Sequence, residues 1–150
     1  MTKPTRERGA SAVEFALILP LLVFFIFGII EFGFYVYNQQ VITNASREGV
    51  RAGIVARNPR LPWDGAAPSV EDVVLTYSRN RLVPVGLDPT VNVDTAGGGY
   101  NPTAPFGAEL RVTVTYQYPF FVLPNIVNFF FSGNMPNSYT LTAVTVMRYE

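Results

Sequence analysis

The sequence predicts an α+β protein, in which one long N-terminal membrane helix precedes a small domain with a short helix and an antiparallel sheet of about three strands. Two observations carry this prediction. Residues 15–30 form an uninterrupted apolar run, FALILPLLVFFIFGII, whereas residues 109–118 alternate between apolar and polar side chains. Long apolar runs are typical of membrane-spanning helices, and strict alternation is typical of a strand with one buried face.

The apolar run becomes long enough to cross a bilayer when it continues to Tyr37. As a helix, residues 15–30 rise only about 24 Å, which is less than the ~30 Å hydrocarbon core. The residues that follow include Phe32, Phe34 and Tyr35 and keep the segment apolar. We therefore expect a transmembrane part at about residues 15–37, within one helix over residues 10–57.

A short basic head precedes the membrane segment. Residues 1–9 carry Lys3, Arg6 and Arg8 against a single acid. Cationic residues beside a membrane helix stay on the cytoplasmic side, so the N-terminus is predicted in the cytoplasm. Residues 58–150 are then predicted to form an extracytoplasmic domain.

Composition excludes several classes of function. The chain has 150 residues, 49% of them hydrophobic, with a formal net charge of +0 and neither histidine nor cysteine. A Ser-His-Asp triad, a histidine metal site, a thiolate nucleophile and a disulfide scaffold are therefore impossible. A neutral chain also lacks the basic stripe of a nucleic-acid-binding protein. We predict no enzyme activity, no cofactor and no metal site.

The outer part of the chain shows one helix and several strands. Ser69 and Asp72 have the spacing of an imperfect capping box, which predicts a helix from there to about Leu82. Strands are predicted at residues 91–94, 109–118 and 139–149. Residues 119–133 fit either a short helix or an edge flap, packed on the domain or on the membrane surface.

Glu14 is a carboxylate just inside the apolar run, where a charge is costly. A cut after Gly9 would create an α-amino group on Ala10, about 6 Å from Glu14 along the helix axis. The amine of a neighbouring, axially offset chain would then neutralise this acid and set the register between packed helices. The alternative is a helix-end charge that snorkels to the headgroups beside Arg8.

The same stretch resembles a known family. Gly9, Ala10, Glu14 and Phe15 are similar to the processing site of type IV prepilins, in which a glutamate is the fifth mature residue. The wider segments GASAVEFALILP, GIIEFG and NASREGVRAG resemble the TadE-like pseudopilins of tight-adherence (Flp) pili.

The resemblance implies a pilin-like fold, cleavage between Gly9 and Ala10 by prepilin peptidase, and a subunit register set by Glu14 and Phe15. It implies partnership with other pilin subunits, the pilus assembly machinery and the lipid bilayer, but not with nucleic acid. The expected location is the bacterial inner membrane or a pilus at the cell surface. Since major Flp pilins are much smaller, a minor pilin or pseudopilin is predicted.

Three further features of the helix bear on assembly. Pro20 removes a backbone hydrogen bond and predicts a kink, either as a flexible point between subunits or as an ordinary membrane-helix proline. Ala12 and Ala16 form a small-xxx-small pair that permits close helix packing. Glu31 either marks the lipid–water boundary, which we favour, or pairs with a basic group on another subunit.

One function of another class fits the same sequence. An uncleaved single-pass membrane protein with an extracytoplasmic binding domain has the same basic head and apolar run. The two functions differ in the fate of residues 1–9, which are removed from a pilin and retained by a simple anchor.

Overall fold

The protein consists of a long helix whose C-terminal half packs against a small α+β domain. The structure, a computed structural model, describes residues 5–55, 61–62, 68–83, 91–94, 103–131 and 133–149, with the backbone alone at 5–8, 91–94 and 130–131. Lys3 of the basic head and most of the loop before the second helix lie outside these residues.

Helix α1 spans Thr5–Ile54 and contains Pro20 in its interior. It begins within the basic head, earlier than predicted, and ends three residues before the predicted boundary. Its membrane half has no polar face, because apolar side chains surround it on all sides. Its second half buries a stripe of apolar side chains: Val41, Ile42, Ala45, Val50 and Ile54.

Helix α2 spans Val70–Arg79 and begins at a complete capping box. The Ser69 hydroxyl accepts the Asp72 N–H at 3.0 Å, and the Asp72 carboxylate accepts the Ser69 N–H at 3.1 Å. These two backbone N–H groups would otherwise lack acceptors at the helix N-terminus. Because their acceptors lie within one turn, the sequence alone could predict the start of α2. The buried face of α2, with Val70 and Val74, packs on α1.

The sheet contains β1 (Val91–Asp94), β2 (Glu109–Pro119) and β3 (Ser138–Arg148) in the order β1-β2-β3, all antiparallel. The α+β class is confirmed. The prediction of about three strands needs correction, because β2 and β3 are eleven residues long and β1 only four. The sheet is in substance a two-stranded ribbon with a short strand on one edge.

Alternation along β2 holds as predicted. The side chains on the face that packs against α1 are all buried: Leu110, Val112, Val114, Tyr116 and Tyr118. Helix α3 (Leu123–Phe131) follows β2, so the apolar segment that fitted a helix or a flap is a helix. Helix α3 lies at the end of the ribbon nearest the membrane half of α1.

Candidate functional site

The predicted cleavage point lies in exposed helical backbone. Gly9 and Ala10 are both exposed within α1, and a Cβ built on Gly9 meets no atom within 4 Å. Glycine weakens a helix interior by roughly 1 kcal/mol relative to alanine. Among the described side chains nothing covers the Gly9–Ala10 bond, which lies at a weak point of the helix.

Glu14 and Phe15 lie one turn beyond this bond, in the uncovered part of α1. Both are exposed, Phe15 at 61%. Residues four apart share a helix face, so Ala10 and Glu14 lie one above the other. Within the described side chains, the one salt bridge joins Arg148 to Glu109, so Glu14 has no cationic partner there.

The membrane half of α1 is apolar and uncovered. Among the described residues, Gly9–Ile54 is the one helix long and apolar enough to cross a membrane, and no part of its most apolar window is buried. Ala12, Ala16 and Pro20 are also exposed. A core helix of a soluble domain would bury one face, so this exposed surface is typical of a helix that meets lipid or other helices.

Glu31 has a role that neither sequence-based alternative contained. Its side chain is 4% exposed, and its carboxylate accepts the backbone N–H groups of Phe121, Val122 and Leu123. The bond from Leu123 measures 2.8 Å. These are the unsatisfied donors at the start of α3, which a carboxylate also favours through the helix dipole. Glu31 therefore caps α3 and fastens it to α1.

Tyr118 of β2 also contacts α1 at Glu31. Its hydroxyl donates to the backbone carbonyl of Glu31 at 3.2 Å, and its ring packs edge-on against Tyr35 with 5.7 Å between centroids. Burial, with a smaller effect from the charge of Glu31, raises the pKa of Tyr118 to about 12. The raised pKa means that the Tyr118 hydroxyl stays neutral beside Glu31.

Asn38 of α1 hydrogen-bonds the segment that follows α2. Its fully buried amide accepts the N–H of Val83 at 3.0 Å and donates to the carbonyl of Val83 at 3.3 Å. The neighbouring Gln39 amide donates to the carbonyl of Thr142 on β3 at 3.1 Å. Polar side chains of α1 thus hold the chain after α2 and strand β3.

The segment SREG at residues 46–49 divides into inward and outward positions. The buried Ser46 hydroxyl lies 2.7 Å from the Thr145 hydroxyl on β3. A Cβ on Gly49 would lie 2.3 Å from Val74 Cγ2, so only glycine lets α2 approach this closely. The Arg47 side chain is exposed, as is that of Glu48.

Sequence reasoning missed Glu31 and Asn38 as sites of domain attachment. One signal pointed to Glu31: α3 begins within FVLPN and has no Ser, Thr, Asp or Asn at its N-cap, so it needs an acceptor from elsewhere. No comparable local signal marks Asn38, whose partner is a backbone group 45 residues away.

Comparison with known proteins supports the resemblance over α1 alone. Residues 9–51 match the family model described as TadE-like protein. No curated protein and no solved structure matches the chain. The matched segment runs from the predicted cleavage point to the SREG segment, and the rest of the domain lies beyond it.

Proposed function

We propose, from the match of α1 to the TadE-like family, that this chain is a minor pilin or pseudopilin of a Tad pilus. The family is one of pilus components rather than enzymes. The observation that carries the proposal is the apolar stem, defined as residues 10–30 of α1. It is uncovered along its length and carries Glu14 as its single acid.

Processing and register are part of this proposal, and the exposed positions of Gly9, Ala10 and Glu14 support them. Prepilin peptidase removes residues 1–9, and Ala10 gains a positively charged α-amino group. In a bundle of such stems, this amine pairs with Glu14 of a neighbour, which neutralises both charges within an apolar environment. Phe15 and the Ala12–Ala16 face then pack against adjacent helices.

The domain moves with the helix as one unit in this proposal. Glu31, Asn38, Gln39 and Ser46 bond the second half of α1 to α3, to the chain after α2 and to β3. An axial displacement of the stem during assembly therefore displaces the domain equally. The basic head supports a location of the domain outside the cytoplasm, on the inner membrane or in the pilus.

Replacement of Glu14 by alanine tests the register role. We expect Glu14→Ala to enter the membrane and to be cleaved normally, but to abolish or strongly reduce pilus assembly in a strain whose native copy is deleted. Glu48→Ala is the matched control, because Glu48 is an exposed acid on the domain half of the same helix. Normal piliation with Glu14→Ala would refute the register role.

The uncleaved single-pass receptor remains the second candidate. It keeps residues 1–9 and functions with a solitary stem. In that case Glu14→Ala leaves function intact, because the acid only snorkels to the headgroups.

A further inference from the structure

Helix α3 lies beside the stem at a defined height. A Cβ on Gly28 would lie 3.7 Å from Leu123 Cδ2, and the Glu31 carboxylate caps the first turn of α3. The two contacts are one turn apart on α1. They fix the start of α3 at the level of residues 28–31.

The length of the stem places this level at the membrane surface. Residues 10–30 rise about 30 Å as a helix, which equals the thickness of the hydrocarbon core. This segment replaces the predicted span of residues 15–37, because the domain buries Glu31 and Asn38 within or just beyond that span. Beyond this point one face of α1 is covered by the domain, beginning with the buried Glu31 and followed by Asn38 and Val41. The stem therefore ends at the level along α1 at which the first turn of α3 packs.

The surface of α3 carries no charge, and among its described side chains Phe129 and Asn125 are exposed, with the Asn125 amide donating to the carbonyl of Phe121. The chain has no charged residue between Arg111 and Arg148, a stretch that contains all of α3. Phe121 is 65% exposed and Phe129 is 81% exposed. On α1, just beyond the stem, Phe32 is also exposed, at 64%.

A cleft of about 360 Å³ lies just beyond the stem, between α1, the start of α3 and the start of β3. Its lining is apolar or aromatic: Phe32, Tyr35, Phe120, Leu123, Met135 and Tyr139. The described charged groups of the ribbon, Glu109, Arg111 and Arg148, lie at its opposite end. The charged side chains of the ribbon thus lie at the end far from the membrane, and the end near the membrane is uncharged.

We propose that α3 is seated in the lipid interface of the membrane that holds the stem, with Phe121 and Phe129 among the upper acyl chains. The occupant of this surface is the bilayer itself, since the surface is continuous with the stem and reaches the same height. Aromatic and apolar side chains are favoured at this depth. Glu31 sets the depth, because it joins α3 to a fixed position on the stem. This inference concerns the chain while it is anchored in the membrane, and it holds whether or not residues 1–9 are removed.

A tryptophan introduced on α3 reports the depth. Trp63 is the only tryptophan of the chain, so Trp63→Phe removes the background. Phe129→Trp in that background reports on α3. Phe106→Trp is the matched control, because Phe106 is 87% exposed and precedes the start of β2, at the far end of the ribbon. Both full-length variants are reconstituted in phosphatidylcholine vesicles that carry bromine on the acyl chains.

We expect bromine near the headgroup end of the chains to quench the indole fluorescence of the Phe129→Trp variant at least twofold, with weaker quenching by bromine near the chain ends. The Phe106→Trp variant should be unquenched by either lipid. Absence of quenching at position 129 would overturn the proposal and leave the surface to a neighbouring protein. Equal quenching at both positions, or quenching at position 129 only by the deepest bromine, would also overturn it. Circular dichroism of each variant verifies the fold.

Discussion

Removal of the Glu31 carboxylate should release α3 from the stem. Glu31 is 4% exposed and accepts three backbone N–H groups. In Glu31→Ala these donors lose their acceptor, and the apolar surroundings limit their replacement by water. In Glu31→Gln one amide oxygen remains as an acceptor, but the charge is lost.

The expected magnitudes follow from the number and type of these bonds. A hydrogen bond to a charged group contributes about 1.5–3 kcal/mol, and three bonds that share one carboxylate are not additive. We therefore expect Glu31→Ala to lower the free energy of unfolding of the domain by about 3–5 kcal/mol. Glu31→Gln should lower it by about 1–2 kcal/mol.

Urea unfolding of the full chain in detergent micelles measures these changes. The signal is the near-UV circular dichroism of the buried tyrosines, Tyr116 and Tyr118, which reports on the domain rather than the stem. Amide hydrogen exchange provides the local measurement, and residues 121–131 should lose protection first. Glu48→Ala is the control and should change stability by less than about 0.5 kcal/mol.

One result would refute the reasoning about Glu31. If Glu31→Ala unfolds within about 0.5 kcal/mol of the parent protein and protection of α3 is unchanged, the carboxylate does not hold α3. The proposed depth of α3 in the membrane would then lose its structural basis as well.

Two further predictions concern the domain. Gly49→Ala should lower the free energy of unfolding of the domain by about 1–3 kcal/mol, because the added methyl group meets the stiff Val74 side chain. Gly33→Ala is the control: its methyl group has open space, so it should be neutral or slightly stabilising in the same urea titration. The raised pKa of Tyr118 means that the unfolded chain loses this proton first, so stability should be complete below about pH 10 and fall as pH rises toward 12. Tyr118→Phe should reduce this loss of stability in unfolding measurements between those pH values. A smaller pH-dependent loss should remain from Tyr116, because burial also raises the pKa of Tyr116. An unchanged slope of stability against pH would contradict the assignment.

The elements that the sequence predicted correctly have local signals. The alternation from Leu110 to Tyr118 identifies the buried face of β2 without knowledge of its neighbours. The Ser69–Asp72 pair identifies the start of α2 because both partners lie within one turn. The apolar run predicted the exposed stem for the same reason, since its composition alone rules out a polar face.

The contacts that sequence reasoning missed connect distant parts of the chain. Glu31 meets donors about 90 residues further along, so its position in an apolar run suggested lipid or another subunit instead. The nature of residues 119–133 was undecided because their apolar side chains, interrupted by Pro124, fit a short helix or an edge flap. The cap from Glu31 settles this in favour of a helix, and no local pattern encodes it.

The most direct test of the central claim is the N-terminal residue of the protein isolated from its own membrane. Intact mass and N-terminal sequencing identify it without any mutation. The account predicts a mature chain that begins at Ala10, with a free α-amino group available to Glu14 of a neighbour. A chain that retains Met1 through Gly9 would contradict the account and support the uncleaved membrane anchor.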